Sequence, residues 1–521
     1  MRKFLLGFML LATHFAFAQN NYNACGSQSG LWDYDSVFVS CDIIVPAGEQ
    51  LVIAPNTTVL FEDYFSIHVL GSVDARASYN QPVSFTIADT SGFADYHSTS
   101  GGWNGFRFEQ TLPESDSSIF EFCRFYYGKA AGDSANGYGG AFRIDNFSKI
   151  RIEQCSFDHH YAFYRGGAVY ANKADILIRK CEFLNSFAGN DGMDYGYGGA
   201  VAFRASLPEV SGSYFEANSS TGVGGALSFE FSDPKLVNCE FYQNYSALGG
   251  AIGFIRATPE RQVANLLIHE NSSLFFGGGI ACLEASPRMT NLTIINNSSA
   301  MGGGYYCNEH ANPVLANSIL WNNTTGDTLG SQVWIWDVYS EPEFLYCDIQ
   351  GGLEWFGGSS FIGVYENNLD ADPLLFEQFW LFNDSPCINA GTPDTTGLLI
   401  PPTDILGVDR IQYGRIDMGV MEFLWMGLPQ QNQETYALKI FPNPLDFNSV
   451  CAFEMPLPGM VQLSIFDLNG RLVWQQTNEN VSAGIHRFSL EDFVRKHPKN
   501  NRPWLLKMTS GSHTQATRLI H

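Results

Sequence analysis

The sequence predicts an all-β protein: a right-handed parallel β-helix followed by a small C-terminal β-sandwich. Three observations carry this. A Phe/Ile/Leu followed three positions later by a small polar residue recurs at Phe157, Phe183, Phe215, Phe241, Ile268, Ile294 and Leu320. A glycine pair follows each of the first six, starting at Gly166, Gly198, Gly224, Gly249, Gly277 and Gly302, with an earlier pair at Gly139. The interval is about 26 residues, and a fixed period of this size means a solenoid of stacked coils. Composition agrees: 51 glycines, 14% aromatic and only 16% charged residues suit a turn-rich β protein.

Alternation fixes the kind of coil. After each glycine pair one column reads Phe142, Val169, Val201, Leu227, Ile252, Ile280 and Tyr305, and two positions on another reads Ile144, Ala171, Phe203, Phe229, Phe254, Cys282 and Cys307. Between them runs a more polar column from Arg143 to Tyr306. Period two is the mark of a strand. A further apolar column (Ile152, Ile178, Val210, Leu236, Val263, Met289, Leu315) gives each coil about three strands.

Equivalent residues should then stack about 4.8 Å apart. Asn238, Asn265, Asn291 and Asn317 form one row, and Asn218, Asn244, Asn271, Asn297 and Asn323 a second. Both are expected to staple corners, because asparagine tolerates left-handed backbone and its amides bond along a stack. Cys123, Cys155, Cys181, Cys239 and Cys347 share an inward slot at the coil spacing, unlike zinc ligands.

The N-terminus reads as a signal peptide over 1–18: a basic start, a short apolar run and Ala16-x-Ala18. Export makes disulfides available to the eleven cysteines, and Cys25–Cys41 and Cys282–Cys307 are the candidate pairs. No stretch is a comfortable membrane span. Net charge of −24 argues against nucleic acid or an anionic membrane as partner. The expected organisation is an N-terminal cap and first coils over 19–120, regular repeats over 121–350, last coils and a closing segment over 351–426, a linker at 427–435, and a β-sandwich over 436–521.

Function is sought where the repeat is interrupted. Two long connections, 126–138 and 185–197, flank the short turn 158–165. They are expected to gather Asp133, His159, His160, Arg165, Asp191 and Asp194, a set able to hold calcium or a sugar. The competing reading is that these are solvated loop residues. No other cofactor is indicated, and the catalytic residues of an enzyme cannot be named. The closing-segment charges Asp404, Asp409, Arg410, Asp417 and Glu422 are expected to cap the last coil.

Three resemblances follow. "FYQNYSALGGAI" resembles the repeats of chlamydial polymorphic outer-membrane proteins, which implies a surface adhesin. Residues 31–424 resemble bacterial secreted right-handed β-helix proteins, on "DIIVPAGEQLVIAPNTTVLFEDYFSIHVLGSVDA", "SPCINAGTPD" and "DILGVDRIQYGRIDMGVMEF". Residues 438–475 resemble the C-terminal sorting domain of the type IX secretion system of Bacteroidetes. The marks are Phe441-Pro442-Asn443-Pro444 and, at a hairpin turn, Asn469-Gly470-Arg471. The chain departs from that pattern at Pro503-Trp504, where a glycine-tyrosine is usual.

These resemblances imply a secreted or outer-membrane surface protein that meets the type IX machinery and then a polysaccharide, host or neighbouring cell. Secreted β-helices are also polysaccharide lyases or glycoside hydrolases. No acid/base constellation of that kind recurs on the coils, so the non-catalytic adhesin-like reading is preferred.

Overall fold

The computed structural model describes residues 20–132, 136–190, 196–257, 260–326, 329–376, 379–411, 414–423 and most of 438–520. The expected signal peptide and linker lie outside the described residues.

Residues 20–369 form the solenoid, in which 35 of the described strands join one sheet in parallel register. Each regular coil carries face A (for example Val169–Asn172), face B (Leu177–Arg179) and face C (Glu182–Leu184). Faces B and C meet at a single left-handed residue, such as Lys180 or Asn291. A fourth short strand, face D, precedes the glycine pair (Tyr161–Ala162, Phe187–Ala188, Ser219–Ser220) and builds its own six-stranded sheet. The three-strand expectation is corrected by this addition: two residues are too short to show alternation in a sequence.

The inward columns are buried, and the phenylalanine column stacks ring on ring. Centroids of Phe125, Phe157, Phe183, Phe215 and Phe241 are successively 4.7, 4.6, 5.0 and 4.9 Å apart. Offset stacking at the strand spacing adds to burial. The glycine pair has two separate demands. Gly249 sits at φ +66°, and a Cβ on Gly250 would lie 2.2 Å from the Gly278 carbonyl oxygen of the next coil.

The two asparagine rows behave differently. Asn238, Asn265, Asn291 and Asn317 take the left-handed corner. In the second row that conformation falls one residue earlier, on Ala217, Gln243, Glu270, Asn296 and Asn322. The asparagine that follows turns inward and is buried. Asn244 Oδ1 accepts both the Asn218 amide N–H and its Nδ2 at 3.0 Å, and Asn271 Oδ1 does the same for Asn244 at 2.9 Å. Only the first row tests asparagine's tolerance of positive φ.

Cys25 and Cys41 are disulfide-bonded, with Cα atoms 4.9 Å apart. The Cys282–Cys307 pairing is corrected: both remain thiols. They are in-register neighbours on parallel strands, so their Cα–Cβ bonds run side by side at strand spacing, whereas a disulfide needs Cβ atoms about 3.8 Å apart. Cys282 Sγ instead lies 3.0 Å from Tyr305 Oη.

The closing segment is also corrected. Phe356, Phe361 and Tyr365 pack against the end of the solenoid core. Residues 379–423 run back along the side of the stack as a strap. Asn265 Nδ2 donates to Thr403 O, Asn291 Nδ2 to Asp417 O and Gly419 O, and the Thr392 N–H to Asn317 Oδ1. Phe379, Ile405, Val420 and Met421 cover Leu267 and Ile295 of face C. Arg410 is fully buried and bonds Glu422 Oε1 at 2.8 Å, Val420 O at 2.8 Å and Asn265 Oδ1. The corner-row amides hold the strap, and within the row Asn265 Nδ2 also donates to Asn238 Oδ1 at 2.7 Å.

Beyond the strap, two antiparallel sheets enclose a second core of Cys451, Phe453, Val461, Leu463, Ile465 and Leu506. The short helix Glu491–Lys496 adds Phe493 and Val494 to it. The strands Gly459–Phe466 and Leu472–Val481 form a hairpin closed by Asp467 N–H to Arg471 O at 3.0 Å and Arg471 N–H to Asp467 Oδ1 at 2.8 Å. Phe441 ends the strand Lys439–Phe441. Pro442, Asn443, Pro444, Asn469 and Gly470 lie outside the described residues.

Candidate functional site

The predicted cluster separates into different environments. Asp133, Asp191 and Asp194 lie outside the described residues. His159 holds the left-handed corner before face D, with its Nδ1 2.7 Å from Asp158 Oδ1. Arg165 lies beyond the next short strand, over face A, where it bonds Glu230. Among the described residues no group of three or more His, Cys, Asp or Glu is placed to hold a metal ion.

His160 is corrected outright as a loop-facing ligand. It occupies the slot three residues after Phe157, the slot of the inward asparagine row, and is buried. Its Nδ1 accepts the Gly128 N–H at 3.0 Å and its Nε2–H donates to Phe125 O at 3.1 Å. Asn218 makes the equivalent side-chain bond to Phe183 O. Burial, opposed only in part by these bonds, depresses the imidazole pKa to about 4. Both ring nitrogens are used, so none is left for a ligand.

What Arg165 joins is a lattice on the exterior of face A. Outward positions of successive strands supply Arg143 and Asp145, Tyr170 and Asn172, Arg204, and Glu230. The residues just before the glycine pairs, Tyr138, Arg165 and Tyr197, bridge to one another in parallel and fold over this face. Small Ala202 and Ser228 underneath leave room for them.

Geometry within the lattice is tight. Glu230 Oε2 accepts from Arg165 Nη1 at 2.5 Å and Arg204 Nε at 3.0 Å. Arg165 lies 4.4 Å from the Tyr197 ring centroid. Arg143 pairs with Glu109 at 2.7 Å and Asp145 at 2.9 Å, and lies 5.5 Å from the Tyr138 ring. Asn172 Nδ2 donates to Asp145 Oδ1 at 2.9 Å. Burial pushes the Tyr170 hydroxyl up to about 12, so it stays a neutral donor.

Such a surface offers fixed guanidinium donors, carboxylate acceptors and aromatic faces in one plane. Those are the groups that recognise a hydroxyl-rich ring. Asp145 and Glu230 are each held by arginine, an arrangement that serves hydrogen bonding better than proton transfer. Sequence reasoning missed Asp145, Arg204 and Glu230. The signal was there: the outward column was followed through Arg143 and Tyr170, and these residues stand two positions on.

Among the described residues no helix is long and apolar enough to cross a membrane. Residues 111–253, which include this face, match the family model described as "right handed beta helix region". No curated protein matches the chain.

Proposed function

We propose that this chain is an exported β-helix protein, secreted or held at the outer-membrane surface, that binds glycans or neighbouring cell surfaces without turning them over. In this reading the type IX secretion machinery reads residues 436–521 and the solenoid carries the binding surface. The observation that supports it is the Arg165–Glu230–Arg204 lattice with its tyrosine faces, where hydrogen-bonding groups are pre-organised on a rigid sheet. Asp133, Asp191 and Asp194 are proposed as further ligand contacts, for calcium or for the same glycan.

The test is incubation of the mature chain with a panel of neutral and acidic polysaccharides, followed by assays of binding and of bond cleavage. Binding without new reducing ends or unsaturated uronates, weakened in E230Q, is expected. Turnover would instead establish a lyase or hydrolase. A calcium titration of D191A/D194A against wild type checks the loop contacts, and deletion of 436–521 should trap the protein inside the cell envelope.

A further inference from the structure

The lattice ends abruptly at one coil. Along the outward column of face A, Asn172, Arg204 and Glu230 are followed in register by Ile255, Leu283 and Asn308, and the next residue on that line is Trp336. The covering row changes at the same level, from Tyr138, Arg165 and Tyr197 to Val223, Leu248, Phe276 and Met301. One face of one sheet is thus charged and hydrogen-bonding over four coils, then uncharged and, Asn308 apart, apolar over the coils that follow.

The apolar half is exposed and rigid. Trp336 is 48% exposed, although it is a large apolar side chain. Phe276 stacks on Tyr306 at 4.7 Å and meets Trp336 edge to face at 5.3 Å, so the ring surface is held in place from beneath. Ile255 and Trp336 stand three coil steps apart, about 14 Å. No step or ridge of charge separates them from Glu230 on the same line.

We infer that face A binds an acylated glycan, a single amphiphilic ligand whose sugar lies on the Arg165–Glu230 half and whose hydrocarbon chain lies along Ile255, Leu283, Phe276 and Trp336. The occupant follows from continuity: the two halves share one register line, so a ligand that fills the first is aimed along the second. The charged half alone, as read under the proposed function, accounts for the sugar; this inference rests on that reading and adds the chain. Each methylene removed from water on this surface would tighten binding by up to about fourfold.

The experiment measures binding of octyl-, decyl- and dodecyl-maltoside below their micelle concentrations, with maltose as the sugar-only probe, to the full chain and two variants. Affinity is expected to rise at least tenfold from octyl to dodecyl. W336S should flatten that chain-length dependence, and E230Q should weaken all the maltosides by a similar factor. The Trp336 side chain is half exposed, and an unchanged melting temperature confirms that the variants fold. No chain-length dependence in wild type, or dependence that W336S leaves unchanged, overturns the acyl site. Chain-length dependence that E230Q leaves untouched would instead remove the sugar half and with it the glycan reading. A wild-type dimer that W336S converts to monomer would make a second copy the occupant and overturn the proposal.

Discussion

His160 accepts the backbone N–H of Gly128, one coil away, and so does the work that asparagine does in later coils of the same row. The imidazole is a structural amide substitute. Its depressed pKa, about 4, is below the ordinary histidine value, so between about pH 6.5 and 4 the unfolded chain binds a proton that the folded chain refuses.

Stability therefore holds above pH 6.5 and falls as pH drops toward 4. H160N should keep both hydrogen bonds and remove this acid dependence. H160A should cost about 2–4 kcal/mol at pH 7, because the Gly128 N–H and Phe125 C=O lose their partner in a dry interior. Denaturant midpoints for the three proteins at pH 4.5, 6 and 7.5 read all of this.

The same residue shows what a sequence makes legible. Periodicity placed Phe157 in its column, and the slot three residues on was already known to be filled by asparagine in five other coils. Residue chemistry pulled the other way, since two adjacent histidines beside acidic loops look like a metal site. Position in the repeat decides, because the coil geometry is imposed by neighbours above and below. The strap was illegible for the opposite reason. Arg410 bonds Asn265, 145 residues earlier, and nothing periodic links a non-repeating segment to the side it will cover.

A second expectation separates the two asparagine rows. N244A removes a buried amide bonded to Asn218, Asn271 and the Phe215 carbonyl, and should cost about 3 kcal/mol or more. Asn238 is a partly exposed left-handed corner that accepts one bond from Asn265. N238A should cost about 1 kcal/mol, and N238G less, since glycine is at ease at positive φ. Equal losses at the two positions in chemical denaturation would contradict the inward ladder.

Thiol chemistry gives a third. Mass mapping of non-reduced protein should find Cys25–Cys41 bridged and nine thiols free. Burial pushes Cys239 and Cys282 up to about 12, so they should resist alkylation in the folded chain and react fully in denaturant. Reducing the bridge, whose cysteines are 16 residues apart, should cost about 3 kcal/mol of cap stability.

The strap carries the last. Asp404, Asp417 and Glu422 are buried around a single cation, Arg410. Desolvation raises all three carboxyl pKa values despite that charge, Glu422 to about 8. A raised carboxyl pKa means that the docked strap holds protons the released strap would give up. Its contribution is therefore full below the ordinary carboxylate range and is lost as pH climbs through about 8. Protease sensitivity and hydrogen exchange of residues 379–423 should increase from pH 6 to pH 9, while Phe157 and Phe215 in the coil core stay protected. E422Q should flatten that rise, because it keeps the shape without the charge. R410M should release the strap at every pH, at a cost of about 3–5 kcal/mol, since it leaves Asn265 Oδ1 and the Gly419 and Val420 carbonyls without their buried donor and, at high pH, strands the ionised Glu422 as well. Release would uncover Leu267 and Ile295, so a dye that binds apolar surface should report it in the R410M protein and, for wild type, only at high pH.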